Sequence, residues 1–347
     1  PAPGSALLLY TSGSSGHPKG VVLSYRALEE KLAVLLGVLS PKAMERTLCF
    51  LPVSFGHGLI GNSLPPLLSG QTLFLEPAFT SDLAVRLGEL IDQRGITFFS
   101  SVPSFWRAVL PFASSPKAGS LRKVFCASAP LQPEDWKAIS AWLGAKVDFR
   151  HVYGITEAAS WISALPEGAP YLAAGDVGAG WGCEFSLDPA SSEILLRAPY
   201  LMSAYHRDPL GTEMVLRDGV FRTGDAGLML EGGKLRVVGR IKEQINRGGL
   251  KVSPAEVEAC LRGHPDVMDC CVFGAADEVG GESVQVAVVL RSNRQATTKE
   301  LKDFCRKTLS EFKVPERVHF LPEIPRNSRG KVNRSEVARL CFLRGKF

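Results

Sequence analysis

The sequence predicts an α/β protein of mixed α/β sheet layers, and three observations carry that prediction. First, short apolar β-rich runs (LLLY at 7–10, LCFLPV at 48–53, TLFLE at 72–76, ITFFSSV at 96–102, KVFCAS at 123–128) alternate with stretches of helical period at Tyr25–Gly37 and Asp82–Arg94. Strand and helix in rotation build a largely parallel sheet. Second, from about Gly175 to Gly239 the texture changes to short strands broken by Gly, Pro and Asp (EILLRA, GVFRTGD, LMLEGGKLRVVG), which predicts an antiparallel, β-barrel-like subdomain. Third, Arg240 is followed by a helix at Pro254–Arg262, strands MDCCVFGA and SVQVAVVL, a helix at Lys299–Leu309 and a basic tail. That order predicts a small α+β domain, so the chain is divided into residues 1–239 and 240–347.

Composition supports a globular reading. With 347 residues, 45% of them hydrophobic, the chain can bury a substantial core. It contains no run of 18 apolar residues and no charged-then-apolar leader, so no transmembrane segment or secretory signal is expected. It starts without Met and enters a buried-looking strand within six residues, so it is expected to be a piece of a longer protein. The eight cysteines form no C-x-x-C pair and have no His at zinc spacing, which favours reduced thiols and a cytoplasmic location. Net charge is +5, and residues 241–347, with 19 Lys+Arg against 14 Asp+Glu, hold the whole excess.

The stretch LLLYTSGSSGHPKG (Leu7–Gly20) is an apolar strand that ends in a loop of glycines and hydroxyls. Such a loop offers backbone N–H groups and hydroxyls with little bulk, the cradle a polyphosphate needs; its plainer reading is a flexible Gly-Ser turn. Lys19 follows Gly16 by three residues and precedes Gly20, so no hydroxyl stands where a P-loop holds magnesium. Pro18 has no N–H and disfavours a helical residue before it, so Lys19 is not expected to open a helix in the P-loop manner. The loop is expected to close over phosphates as a mobile segment.

YTSGSSGHPKG resembles the signature loop of the adenylate-forming superfamily of AMP-binding enzymes, which includes acyl-CoA synthetases, luciferases and peptide-synthetase adenylation domains. The resemblance assigns the phosphate loop to Thr11, Ser12, Gly13, Ser14, Ser15, Gly16 and Lys19. VYGITEAAS (Val152–Ser160) resembles the family's Tyr-Gly-x-Thr-Glu motif, which implies that Tyr153 and Gly154 line the adenine, Thr156 bonds a phosphate and Glu157 reaches Mg²⁺. A plainer reading of Thr156 and Glu157 is a helix start with an acidic first turn. ASAPL (Ala127–Leu131) resembles a segment packed on adenine, with Ser128, Ala129 and Pro130 at the base and Ala127 and Ser128 in place of two glycines. FRTGD (Phe221–Asp225) implies that Asp225 takes both ribose hydroxyls; its plainer reading is an Asx turn.

GRIKEQINRGGLKVSPAEVE (Gly239–Glu258) is the longest match. It implies that Arg240 contacts ribose or phosphate, that Lys242 lies at a hinge, and that Gly248 and Gly249 line a thiol tunnel. IPRNSRGKVNR (Ile324–Arg334) implies that Lys331 is the catalytic lysine of adenylation; read alone it is a solvated basic strip or a weak nucleic-acid patch. In LPVSFGHGL (Leu51–Leu59), Phe55 stands where relatives place a gating residue, and His57 reads as a loop histidine. Val102, Ser104, Ser128 and Trp161 complete the expected acyl pocket.

The resemblance therefore implies an ATP-dependent acid–thiol ligase. Its substrates would be a carboxylic acid, ATP with Mg²⁺, and a thiol, with coenzyme A preferred to carrier-protein phosphopantetheine on the NRGG form of the hinge. The resemblance also implies an N-terminal subdomain ahead of the phosphate loop, supplied by a longer chain or by a complementing one. The alternative is a non-catalytic relative that binds nucleotide or a partner because that subdomain is missing. A P-loop ATPase is disfavoured by Pro18 and Gly20, and a nucleic-acid binder by the absence of interleaved aromatics in the basic tail.

Overall fold

A computed structural model describes residues 4–11, 18–77, 80–277, 281–326 and 332–344. The chain divides into two compact units. One comprises Pro1–Thr223 with Gly227–Val237, and the other Gly224–Ala226 with Val238–Phe347.

In the first unit, β1 (Ser5–Thr11) and β2 (Lys19–Ser24) form an antiparallel hairpin in which Thr11 faces Lys19. Lys19 thus opens a strand. Ser24 then caps α1 (Tyr25–Val38), its Oγ accepting the Ala27 N–H at 3.0 Å. Next come β3 (Arg46–Cys49), a π-helical turn at His57–Ser63, α2 (Leu64–Leu68), β4 (Thr72–Leu75) and α3 (Ser81–Arg94), which ends at left-handed Gly95. They are followed by β5 (Phe98–Ser101), α4 (Pro103–Val109), β6 (Lys123–Ala127), α5 (Pro133–Leu143) and β7 (Asp148–Ile155). These strands pair in parallel in the order β4-β3-β5-β6-β7.

The region from β8 (Ser160–Ala164) onward is antiparallel. It continues with β9 (Asp176–Gly180), β10 (Glu184–Leu187), β11 (Glu193–Arg197), β12 (Ala204–Tyr205), α6 (Pro209–Val215), β13 (Leu216–Arg217), β14 (Val220–Leu230) and β15 (Lys234–Arg240). By hydrogen bonding these strands extend the parallel sheet. Among the described residues its order is β10-β11-β14-β15-β9-β8-β7-β6-β5-β3-β4, with β13 on β14, while β12 leaves to join β2.

Strand alternation sorts the core. Phe98, Phe125 and Val152 point to one face, with Leu35 of α1 and Val21 and Leu23 of the hairpin. Phe99, Val124, Cys126 and Phe149 point to the other, against Leu87 and Ile91 of α3, Trp106 of α4 and Trp142 of α5. Burying each of these side chains is worth about 1.5–3 kcal/mol relative to exposure.

The buried stripe of α1, Ala27, Lys31 and Leu35, carries a lysine in its centre. Lys31 is fully buried, donates to the Trp161 carbonyl at 2.6 Å and lies 3.4 Å from the centre of the Tyr200 ring. Burial pushes its pKa down to about 7, with Cys183 acting weakly in the other direction.

The second unit is a small α+β layer pair. β16 (Ile245–Arg247) and β17 (Leu250–Val252) are joined by Gly248 and Gly249 at φ +57° and +89°. Positive φ at both positions is what a two-residue hairpin demands, and glycine supplies it. α7 (Pro254–Arg262), β18 (Val267–Asp277), β19 (Gly281–Leu290), α8 (Thr298–Arg306), β20 (Arg317–Phe320) and α9 (Arg334–Arg344) follow. Cys270, Val272 and Val286 face α7 and α8, whereas Cys271, Phe273 and Ala287 face Val337 and Cys341 of α9. Buried Glu258 accepts the Val272 N–H at 2.9 Å and is neutralised by Arg334 and Arg262.

Lys31 generates a prediction about pH. Between pH about 7 and the ordinary lysine pKa of 10.5, the unfolded chain holds a proton that the native amine has lost. Stability contributed by this site therefore rises with pH through that window, and below it the full cost of charging the buried amine is present. In urea unfolding at pH 7 and pH 9, wild type gains stability relative to Lys31→Met. Parallel pH dependences in the two proteins contradict the assignment.

Candidate active site

Four strands of the parallel sheet end on one edge, and the residues just beyond them are the ones singled out in the sequence. Phe55 and His57 follow β3, Val102 and Ser104 follow β5, Ser128–Leu131 follow β6, and Thr156 and Glu157 follow β7. The carboxyl edge of such a sheet is where α/β folds bind ligands, because loops there are free of the hydrogen-bond ladder. Gly154 lies where β7 shifts register against β8. A Cβ there would come within 2.5 Å of the Ser160 carbonyl oxygen, so the close approach requires glycine.

The hairpin reaches the end of β7 through Tyr205. β12 pairs with β2, placing Tyr205 opposite Val21. The Tyr205 hydroxyl donates to Glu157 Oε1 at 2.8 Å, and Lys19 Nζ lies 4.4 Å from the centre of the same ring. Lys19 Nζ also lies 3.7 Å from Asp208, and a cavity of about 190 Å³ opens between Tyr10, Lys19, Tyr205 and Asp208. Thr11 Oγ1 donates to the Lys19 carbonyl at 3.5 Å, closing the base of the hairpin. Thr156–Ala158 form one 3₁₀ turn, so the motif does begin a short helical segment, with Thr156 and Glu157 half-buried. Ser12, Gly13, Ser14, Ser15 and Gly16 lie outside the described residues.

Glu157 offers a single carboxylate, and no group of three or more His, Cys, Asp or Glu is assembled to hold an ion among the described residues. That donor set fits a magnesium ion whose remaining ligands are phosphates and water.

Ser128 has φ +72°, in the left-handed region that favours glycine and costs other residues about 1–2 kcal/mol. Ala127 is an ordinary buried residue at the end of β6. The segment beyond Ser128 is pinned from beneath by two residues that sequence reasoning missed. His151 Nε2 donates to the Ala129 carbonyl at 3.0 Å, and the Tyr171 hydroxyl donates to the Leu131 carbonyl at 2.7 Å. Burial pushes His151 down to about 4, so the ring is neutral, with Nδ1 facing the Tyr171 hydroxyl at 3.3 Å.

Of the residues expected at an acyl pocket, Trp161 is buried, Phe55 and Val102 are half-buried, and Ser104 and Ser128 are exposed. His57, read from sequence as a loop histidine, opens the π-helical turn and is clamped by two hydroxyls. Its Nδ1 lies 2.8 Å from Ser128 Oγ and its Nε2 2.7 Å from Ser100 Oγ. Burial pushes its pKa down to about 3. Trp161 is fully buried, edge-on to His57 at 5.4 Å and to Phe125 at 5.2 Å, and its indole N–H has no partner among the described residues. Phe55 is half-buried in the turn before His57, Val102 caps α4, and Ser104 is exposed on that helix. Ser100 was missed; its only sequence signal was a hydroxyl pair ending an otherwise apolar strand.

In the second unit, Asp225 is buried and its Oδ1 accepts from Arg240 Nε at 2.8 Å. Lys242 is exposed in a 3₁₀ turn at Ile241–Glu243, and Gly248 and Gly249 form the exposed hairpin tip described above. Lys331 lies outside the described residues; Arg326 and Val332 on either side of it pair as an antiparallel bridge.

Comparison with known proteins bears directly on this arrangement. A family model described as AMP-binding enzyme matches residues 2–206, and one described as AMP-binding enzyme C-terminal domain matches residues 256–331. The chain is 34% identical to an oxalate–CoA ligase of Arabidopsis thaliana, over 96% of this chain and 67% of that protein. It is 33% identical to a feruloyl-CoA synthase of Amycolatopsis, over 96% and 69%. The crystal structure of ATP-bound MatB from Rhodopseudomonas palustris superposes with TM-score 0.87 at 28% identity, over 97% of this chain and 68% of that one. O-succinylbenzoate coenzyme A synthetase from Bacillus subtilis in complex with AMP gives 0.84 at 26%, over 96% and 69%. The chain spans about two thirds of the length of these relatives. It belongs to the AMP-binding enzyme family, as an acid–thiol ligase of the acyl-CoA synthetase type.

Proposed function

We propose that this chain joins a carboxylic acid to ATP as an acyl-adenylate, releasing pyrophosphate, and then passes the acyl group to the thiol of coenzyme A. The observation that carries the proposal is the convergence of Lys19, Tyr205 and Glu157 beside the carboxyl edge that also bears Ser128–Leu131 and Tyr153. A carboxylate is a poor electrophile, and the adenylate gives its carbonyl a good leaving group. Negative charge accumulates on phosphate oxygens as the acid attacks the α-phosphorus. Lys19 and Thr156 are suited to oppose it, and the Ser128–Leu131 and Tyr153 segments to orient the base. Magnesium held by Glu157 would supply further charge on the phosphates.

The second unit contributes by moving. Asp225 and Arg240 serve the ribose, Lys242 marks the pivot, and Lys331 stabilises the adenylation transition state. After adenylation, rotation withdraws Lys331 and brings Gly248–Gly249 to the entering pantetheine, where absent side chains let backbone approach the thiol. A carrier-protein phosphopantetheine is the alternative acceptor. The neutral His57, set between Ser100 and Ser128, suits an acid with an uncharged polar group at that end. A second reading is a nucleotide-binding relative without catalysis.

Acid-dependent ATP–pyrophosphate exchange separates the two readings. With a panel of carboxylic acids, the proposal predicts exchange with at least one acid, and its reduction by about 10²–10³ in Lys331→Ala, with thiol transfer from supplied acyl-adenylate retained. ATP binding by calorimetry without exchange for any acid supports the binding-only reading.

Tyr205→Phe removes the hydroxyl donated to Glu157 and leaves the ring beside Lys19. Loss of a hydrogen bond to a charged group is worth about 1.5–3 kcal/mol, so exchange drops by about tenfold or more at limiting Mg-ATP, with part of the loss recovered at high magnesium. Unchanged kinetics at every magnesium concentration rule out this role for the hydroxyl.

A further inference from the structure

We propose, on the basis of the acid–thiol ligase reading, that Ser128 is a specificity-determining residue. Its hydroxyl oxygen accepts a hydrogen bond from the carboxylic acid, so the site selects acids whose far end carries a donor such as a hydroxyl or an amine. Ser128 stands just beyond β6 with φ +72°, directly after buried Ala127. A left-handed backbone suits glycine and strains serine, and strain of this kind at the carboxyl edge of a sheet points to a use for the side chain. The residue is exposed at that edge, and its Oγ lies 2.8 Å from His57 Nδ1.

The direction of these hydrogen bonds follows from counting protons. A neutral imidazole has one N–H and one lone pair, and each hydroxyl has a single proton. Burial keeps His57 neutral, its pKa pushed down to about 3. Ser100, fully buried on β5, has its Oγ 2.7 Å from His57 Nε2 and donates to the Phe125 carbonyl at 3.4 Å. With its proton on that carbonyl, Ser100 accepts from Nε2–H, and Nδ1 accepts from the Ser128 hydroxyl. All three bonds are then made. With the ring proton on Nδ1 instead, Ser100 has to give its proton to Nε2, the bond to Phe125 is lost and two remain. The first arrangement satisfies more of the buried polar atoms.

The Ser128 proton is thus directed inward, and its oxygen offers lone pairs to a bound acid. Trp161 meets the imidazole edge-on at 5.4 Å and braces the ring that takes this proton. A hydroxyl or amine on the acid finds an acceptor at Ser128, whereas a second carboxylate sets lone pairs against lone pairs. Leaving a polar group of the site unmatched is what lets hydrogen bonding discriminate between substrates of similar size.

Two measurements that need no turnover test this, so their failure is separate from failure of acid-dependent exchange. Nitrogen NMR of the histidine-labelled chain, with His57 assigned through His57→Gln, is expected to find the ring proton on Nε2. Calorimetry compares acyl-sulfamoyl adenosines in matched pairs, glycolyl against fluoroacetyl and para-hydroxybenzoyl against para-fluorobenzoyl. Fluorine is close to a hydroxyl in size and has no proton to give, so in at least one pair the hydroxyl member is expected to bind about tenfold more tightly. Glycine suits the backbone at this position, so Ser128→Gly is expected to fold, and in it the two members of that pair bind alike. A proton on Nδ1, no preference for the hydroxyl member in any pair, or Ser128→Gly weakening both members equally with the preference intact overturns the proposal.

Discussion

The segment from Met202 to His206 clasps two sheets that share no strand. Its Met202 N–H donates to the Glu157 carbonyl at 2.7 Å and its Ser203 N–H to the Val22 carbonyl at 2.8 Å. His206 N–H donates to the Gly20 carbonyl at 2.6 Å, and the Tyr205 hydroxyl reaches the Glu157 carboxylate. With these bonds in place, the hairpin that carries Lys19 and the strand end that carries Glu157 hold a fixed separation. These bonds add direction to the apolar packing of Val21 and Leu23 against the same sheet. The phosphate chemistry proposed for this chain rests on that separation, because preorganised charge is effective only when it does not have to be gathered during the reaction.

Much of this was legible in the chain and some was not, for physical reasons. Lys19 was expected not to open a helix, and it opens a strand. Strand and helix positions in the parallel region follow from apolar period, and the helix predicted at Pro254–Arg262 forms over those residues. The continuation of the antiparallel strands into the parallel sheet was not legible, because pairing of β8 with β7 and of β9 with β8 depends on register between strands, which local texture does not record. His57 failed for a related reason: the hydroxyls that hold it are 43 and 71 residues away in sequence. Tyr205, 48 residues from Glu157, belongs to no motif that was singled out.

Buried ionisable groups give the first unit a consistent character. Lys31, His57 and His151 are all displaced by burial towards their neutral forms, and each has its polar atoms taken up by carbonyls or hydroxyls instead of counter-ions. Neutral donors orient backbone without adding charge near a polyanion. In the second unit, by contrast, buried Glu258 is held by guanidinium groups, and the basic excess of the sequence is concentrated there. If the second unit acts on an anionic nucleotide as proposed, long-range attraction would favour its approach and make the reaction sensitive to salt.

A structure determined with a non-hydrolysable acyl-adenylate analogue, an acyl-sulfamoyl adenosine, tests the central claim most directly. The account predicts the adenine against Ser128–Leu131 and Tyr153, the sulfamoyl group beside Thr156 and Lys19, and the acyl end directed towards His57 and Ser100. An analogue bound away from the carboxyl edge of the parallel strands, with Lys19, Tyr205 and Glu157 untouched, contradicts it.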